Sequence, residues 1–358
     1  VLQLSGGNDG LSSVVPHGDP AYYANRTSSA IRENEVLRLS DRVGLHPALK
    51  NYRRQFAEGR LAIVQGVSYP NPNRSHFKSM DVWHTGDLKG RRSDTGWIGR
   101  AIDSCCPRED NPNLVVHLGD QIPYALEARV HKPVSFRTAE QYRWTGNPAD
   151  KESFESLNGD GQLHRRDAIS WLHRVAVDAR TSSDTIRTAA AGYRPKAQYP
   201  GGGLGRDLRT VAALIGAGLG TRVFYVSFGG FDTHNNQRGR HDNLMRQLDG
   251  AVGAFLDDLK AQGLDEKVLL LSFSEFGRRV KENGSAGTDH GVAGPVFVFG
   301  SKVEGGLHAE HPSLTDLDKG DLKMRVDFRS VYAPILDGWM GASSERILGA
   351  RFDRLRLL

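Results

Sequence analysis

Acidic and imidazole side chains recur in this 358-residue sequence where an apolar run has just ended or is about to begin. Asn8-Asp9 follows the run 1–4, and Phe231-Asp232-Thr233-His234 follows RVFYVSF (222–228). Ser274-Glu275-Phe276-Gly277 follows KVLLLSF (267–273), and Thr288-Asp289-His290-Gly291 leads into PVFVFG (295–300). Carboxylates and imidazoles converging from separate segments are the donors that a hard or borderline divalent cation takes. Asp232 and His234 are two residues apart, which in extended backbone puts both on one side, within reach of a single ion. Each cluster alone has a plainer reading. An Asp in a Gly-rich turn caps the next helix, and a His or Glu after a strand is a hydrogen-bonded loop residue. Their joint placement makes Asp9, Asp232, His234, Glu275 and His290 candidate metal ligands.

A further segment, Pro70-Asn71-Pro72-Asn73-Arg74-Ser75-His76-Phe77, follows the apolar run LAIVQGV (61–67). Two Pro-Asn steps fix an extended loop that delivers Arg74, Ser75 and His76 near a strand end. Ser75 is either a helix N-cap or a nucleophile whose hydroxyl is ionised by a metal, and both uses place it at a helix N-terminus, a natural anion site. The two cysteines are the neighbours Cys105 and Cys106. They support neither a disulfide scaffold nor a thiolate zinc site, so any metal is held by oxygen and imidazole.

The elements that must position these residues alternate strand and helix. Near-continuous apolar runs at 1–4, 61–67, 113–118, 222–228, 267–273 and 295–300 read as strands. Helical periodicity covers 47–58, 208–216, 243–262 and 326–340. That pattern predicts an α/β fold with a mostly parallel central sheet covered by helices on both faces. Ligands then sit beyond the carboxyl ends of the strands, where the clusters fall. Residues 136–203 are polar, with a helical core near 168–179, and are expected to form an insertion or lid within a single domain spanning 1–358.

Composition sets the outer limits. The chain is 38% hydrophobic and 25% charged, an ordinary globular balance. No run approaches the ~18 apolar residues of a membrane span, so no transmembrane segment is expected. The net charge of +5 is spread along the chain instead of gathered on one helix or arm, which argues against nucleic acid and for a modest pull on anionic substrates. The chain begins in a core strand with no initiator Met, and a cleaved export signal is one expected reason.

Together, LQLSGGNDGLSSVVP, GRLAIVQGVSYPNPNRSHFKSMDVWHTG, GGFDTHNNQ and LLLSFSEFGRRVKENGSAGTDHGVAGPVFVFG resemble the DUF1501 family of bacterial proteins, often exported by the twin-arginine route. That family in turn resembles a divergent branch of the alkaline phosphatase–sulfatase superfamily, and the match runs over nearly the whole chain. The resemblance implies an alkaline phosphatase-like fold, an exported (periplasmic or cell-surface) protein, and one or two divalent ions (Zn, Mn or Ca). It implies a metal-dependent hydrolase of a phosphate or sulfate ester, acting on a small molecule or glycan, with Ser75 or a metal-bound water as nucleophile. Asp9 matches the Asp that opens the metal site, Asp232 and His234 match a metal-holding Asp and His, and His290 matches the last metal-binding His. Arg74, Arg278 and Arg279 become candidate clamps for the anion, and His76 or His84 a proton donor or extra ligand.

Two departures qualify this. Glu275-Phe276 stands where an Asp-His pair is usual, and Asp232-x-His234 is shorter than the usual spacing. Both weaken the second metal position. Asp289-His290 offers an alternative match to the missing pair. The rival expectation is a non-catalytic exported binding or structural protein that retains the fold and one ion.

Overall fold

The apolar runs form the strands of one sheet because almost every residue in them is buried on one face or the other. The computed structural model describes residues 1–90, 94–107, 109–157 and 168–358. In chain order the sheet strands are β1 (Leu2–Leu4), β2 (Leu61–Ser68), β3 (Val115–Leu118), β4 (Val134–Phe136), β5 (Val223–Phe228), β6 (Leu270–Phe273), β7 (Gly294–Phe299), β8 (Gly306–His308) and β9 (Val326–Asp327). They are ordered β8-β2-β7-β6-β1-β5-β3-β4, with β9 also pairing with β2. Every pairing is parallel except those of β7, which runs antiparallel to both β2 and β6. The expected mostly parallel sheet with surrounding helices is what the chain adopts.

Alternation along the strands splits the core into two layers. Ala62, Val64, Leu271, Phe273, Val296 and Val298 face one layer with Trp83, Trp97 and Tyr332, carried by the helices His76–Thr85, Trp97–Cys105 and Phe328–Pro334. Leu61, Ile63, Leu270, Phe297 and Phe299 face the other with Leu208, Leu248 and Phe255, carried by Gly203–Gly216 and Gln237–Ala261. Residues 137–202 add the helices Pro148–Leu157 and Ala168–Gly192, the second longer than the sequence suggested. Their far end is tied to Asp258 on the long helix by the hydroxyls of Tyr193 (2.6 Å) and Tyr199 (2.9 Å). No helix among the described residues is long and apolar enough to cross a membrane.

The reversed course of β7 matters for function. In the parallel strands the carboxyl ends gather at one edge of the sheet, and β7 brings its amino end to that same edge. His290, four residues ahead of β7, therefore meets the loops that follow β2 and β5 and the first part of its own loop.

Two imidazoles in the interior give the fold a pH dependence. Burial lowers the pKa of His117 and of His241 from the ordinary 6.5 to about 4. Folded-state values below the unfolded value mean that both rings contribute stability above about pH 6.5, lost as the pH falls toward 4 because the unfolded chain takes up the protons first. Urea unfolding should therefore show lower stability at pH 5 than at pH 7, and His241→Gln should narrow that gap. An unchanged gap would remove His241 from this account.

Candidate metal centre

The loop after β1 carries two glycines with left-handed backbone, Gly6 (φ +117°) and Gly7 (φ +73°). A Cβ on Gly6 would lie 2.5 Å from the backbone nitrogen of Asp232, and one on Gly7 would lie 2.4 Å from the Phe276 ring. Only glycine lets this turn pass between the loops after β5 and β6. From β2 the chain runs through Pro70–Asn73 and enters the helix His76–Thr85, which places His76 on its first turn. An antiparallel bridge between Arg278 and His290 holds the loop before β7 in place.

These loops bring His76, Asp232 and His290 together, with one potential ligand atom from each within 4.8 Å of the others. Asp232 Oδ1 lies 2.9 Å from His234 Nε2 and 3.1 Å from His290 Nε2, while Oδ2 lies 3.5 Å from His76 Nε2. Behind each ring, Nδ1 meets an acceptor: Glu275 Oε1 for His76 (2.7 Å), the Arg74 carbonyl for His290 (2.8 Å) and Asp289 Oδ1 for His234 (3.3 Å). A carbonyl oxygen only accepts, so His290 carries its proton on Nδ1 and in the neutral ring presents a lone pair at Nε2. An outer acceptor that fixes the tautomer and angle of an imidazole is the usual support of a metal-binding histidine. The Nε2 atoms of His234 and His290 are 3.0 Å apart. The donor set suits a borderline divalent cation, one carboxylate with two or three imidazoles.

Charge favours the same state. Burial raises the Asp232 carboxyl, but the hydrogen bond and positive charge of Arg278 outweigh it and hold the group well below the ordinary carboxylate range. Arg278, fully buried, donates to Asp232 Oδ1 (2.7 Å), the Gly7 carbonyl (2.7 Å), the Thr288 carbonyl (2.8 Å), the Phe231 carbonyl (3.0 Å) and the Gly6 carbonyl. It ties the loop after β1 and the loop after β5 to its own loop between β6 and β7, and has little left for a substrate, contrary to its expected role as a clamp. The bond from Glu275 raises the pKa of His76, and Glu275 itself is lowered by that bond against the effect of its own burial.

Several expected roles change. Glu275 was an expected ligand, but its oxygens meet His76 Nδ1 (2.7 Å), the Gly6 N–H (2.9 Å) and the Ser274 hydroxyl (3.0 Å), an arrangement that suits it to orienting His76. Glu275→Gln should then weaken metal affinity roughly 10–100-fold without emptying the site, as losing an outer partner does. Competition with a chromophoric chelator would measure it, and complete loss of binding would restore Glu275 as a direct ligand. Asp9 does not join the cluster, because both its oxygens pair with Arg26 (2.6 and 2.9 Å) with each side chain fully buried, and Ser12 and Gln237 donate as well. His84 is buried in the core with its Nε2 against Gln3 (2.9 Å) and Tyr225 (3.1 Å) and is not among the residues that cluster with Asp232. Phe276, which stands where a second imidazole was looked for, packs against the rings of His76 (4.9 Å) and His290 (4.8 Å) as an apolar wall.

Ser75 is the N-cap residue of its helix, but its side chain makes no cap hydrogen bond, and its N–H is taken by Asn73 Oδ1 (2.8 Å). The Arg74 side chain turns to Asp321. Sequence reasoning did not single out Arg26 or Asp321. Both lie in polar segments without periodicity, and the only available signal was that a buried Asp needs a cation.

A family model described as "Protein of unknown function (DUF1501)" matches residues 1–347. No curated protein matches the chain. Among solved structures, Ps i-CgsB in complex with k-i-k-neocarrahexaose is 12% identical, with a TM-score of 0.41, covering 98% of this chain and 72% of that one. The PsFucS1 sulfatase from Pseudoalteromonas sp. is 11% identical, with a TM-score of 0.41, covering 98% and 67%. The phosphonate monoester hydrolase SpPMH from Silicibacter pomeroyi is 12% identical, with a TM-score of 0.37, covering 99% and 78%.

Proposed function

We propose, from the premise that this chain belongs to the DUF1501 family, that it is a hydrolase of anionic esters dependent on a single divalent cation. The observation that carries the reading is the set of three imidazoles, each with Nδ1 tied to an outer acceptor and Nε2 turned toward Asp232. His76, Asp232 and His290 would hold the ion, with His234 at its side. A cation there supplies Lewis-acid stabilisation of charge on an ester oxygen and acidifies a neighbouring hydroxyl.

The chain's own residues would divide the remaining work. Ser75, half-buried and directly before His76, offers a hydroxyl with no cap bond to give up, and is the proposed nucleophile. His234 is the more exposed imidazole and has Asp289 behind it, an arrangement suited to passing a proton to a leaving group. Phe276 keeps one side of the centre dry, which strengthens every charge interaction there. The buried Asp9–Arg26 pair occupies the carboxylate that a second ion would need, which supports one ion over two.

The test is turnover of an aryl phosphate and an aryl sulfate with Mn²⁺, Zn²⁺ or Ca²⁺ added, in wild type and Ser75→Ala. Loss of the nucleophile should cut kcat by roughly 10²-fold or more. Unchanged turnover in Ser75→Ala would remove it from the mechanism. The second reading, a binding protein that keeps one ion, is favoured by the same Asp9–Arg26 pair, and would be established by stoichiometric metal without turnover of either ester.

A further inference from the structure

The loop after β5, with Asp232 and His234, and the loop before β7, with Asp289 and His290, are zipped to each other. The Thr288 N–H donates to the carbonyl of Thr233 (3.2 Å), the Asn236 N–H to that of Ser285 (3.0 Å) and the Gln237 N–H to that of Ala286 (2.9 Å). The Asn283 side-chain amide adds a bond to the His234 carbonyl (3.0 Å).

One side chain grips both loops. Gln237 is the first residue of the long helix Gln237–Ala261 and is 1% exposed. Its Nε2 donates to Asp9 Oδ2 (2.5 Å), and its Oε1 accepts from the hydroxyls of Thr233 (3.0 Å) and Thr288 (2.5 Å). A carboxylate paired with Arg26 only accepts, so the amide nitrogen faces Asp9 and the amide oxygen is left for the two hydroxyls. Thr233 lies between Asp232 and His234, and Thr288 lies two residues ahead of His290. Both threonines are buried as deeply as the glutamine, so these bonds are shielded from water, and losing one partner strands a polar atom. Loops hold side chains less closely than helices and strands do. A metal site carried on loops therefore depends on outer contacts that fix its ligands.

We propose that Gln237 is a positioning residue of the metal centre, which locks the two ligand loops in one register and ties both, through Asp9, to the buried pair with Arg26. Gln237 meets no ion and no substrate, and acts through the threonines. The word ligand rests on the metal reading above, and the lock between the loops does not.

The experiment titrates Co²⁺ into the full chain freed of metal by a chelator, because the visible absorption of bound Co²⁺ reports the geometry of its ligands. Gln237→Met keeps the length of the side chain and removes both donor and acceptor. It should weaken Co²⁺ binding roughly 10–100-fold, as loss of an outer partner does, and shift the absorption band. Thr288→Val should do the same, whereas Thr288→Ser keeps the hydroxyl and should bind as wild type does. The double variant Gln237→Met/Thr288→Val should bind little worse than the weaker single, since both break one contact. Tyr193→Phe is the control. It removes a hydroxyl bond to Asp258 on the same helix (2.6 Å), away from the loops, and should leave affinity and band unchanged. A metal-free arm follows amide hydrogen exchange. Residues 233–237 and 285–288 should both exchange faster in Gln237→Met, and at the wild-type rate in Tyr193→Phe.

The lock is overturned if Gln237→Met and Thr288→Val bind Co²⁺ with the affinity and band of wild type, or if their losses add. It is equally overturned if Tyr193→Phe loses as much, or if exchange in either loop is unchanged by Gln237→Met. Thr288→Val against Thr288→Ser carries the same test should Gln237→Met not fold. A wild type that takes up no Co²⁺, with exchange faster in both loops of Gln237→Met, would end the metal reading and leave the lock standing.

Discussion

Asp232→Ala is expected to reduce metal affinity by well over the roughly 10–100-fold that loss of an outer-shell partner costs. Asp232 is the one carboxylate that all three imidazoles face, at 2.9, 3.1 and 3.5 Å. Arg278 hydrogen-bonds to it and holds its carboxyl well below the ordinary carboxylate range, which favours the ionised form that a cation needs. Without it, three nitrogen donors would face each other with no negative charge to balance a dication. The fold should survive, because Arg278 keeps its bonds to the carbonyls of Gly6, Gly7, Phe231 and Thr288. Chelator competition on a variant with unchanged circular dichroism measures the effect. His290→Ala should behave alike, and wild-type affinity in either variant would remove that residue from the ligand set.

The second large effect concerns stability. Asp9 and Arg26 form a bidentate pair with both side chains fully buried, and Arg26 also donates to the carbonyls of Val280 (2.7 Å) and Arg279 (2.9 Å). Removing one member of a buried pair leaves an uncompensated charge and typically costs about 3–5 kcal/mol. Asp9→Asn and Arg26→Met should each lose about that much in urea unfolding at pH 7. The double variant Asp9→Leu/Arg26→Met should lose less than the sum of the two, because neither charge is then stranded. Burial raises the Asp9 carboxyl, but the pairing with Arg26 outweighs it and depresses the group below its ordinary 3.8. With the folded value below the unfolded one, this stabilisation is present above about pH 4 and is lost as the pH falls further. Additive single-variant losses would mean that the pair is not coupled as the geometry indicates.

The chemistry of the site was more legible than its wiring. Apolar runs with Gly and an acid just behind them located Asp232, His234 and His290, because a parallel sheet collects such loops at one edge. The same rule misplaced Asp9. Its partner Arg26 lies 17 positions away in a segment with no periodicity, and sequence spacing carries no information about which cation a buried acid meets. Glu275 lies beside the cluster with Oε1 on His76 Nδ1, and whether a carboxylate faces inward or the back of His76 depends on a side-chain angle that composition does not encode. The antiparallel course of β7 was hidden too, because a strand buried on both faces reads PVFVFG in either direction. The helix ends moved for ordinary reasons. The long helix begins at Gln237, six residues before the apolar periodicity sets in, because its first turns carry polar residues such as Gln237 and His241 that bond to Asp9 and Asn8 instead of packing.

The central claim is that one divalent cation is held by His76, Asp232 and His290, with the place of a second taken by the Asp9–Arg26 pair. The most direct measurement is metal content per chain by inductively coupled plasma mass spectrometry, after dialysis against Zn²⁺ or Mn²⁺ and removal of the excess. The account predicts one ion per wild-type chain and none in Asp232→Ala. No ion in wild type, two ions, or one ion retained in Asp232→Ala would contradict it.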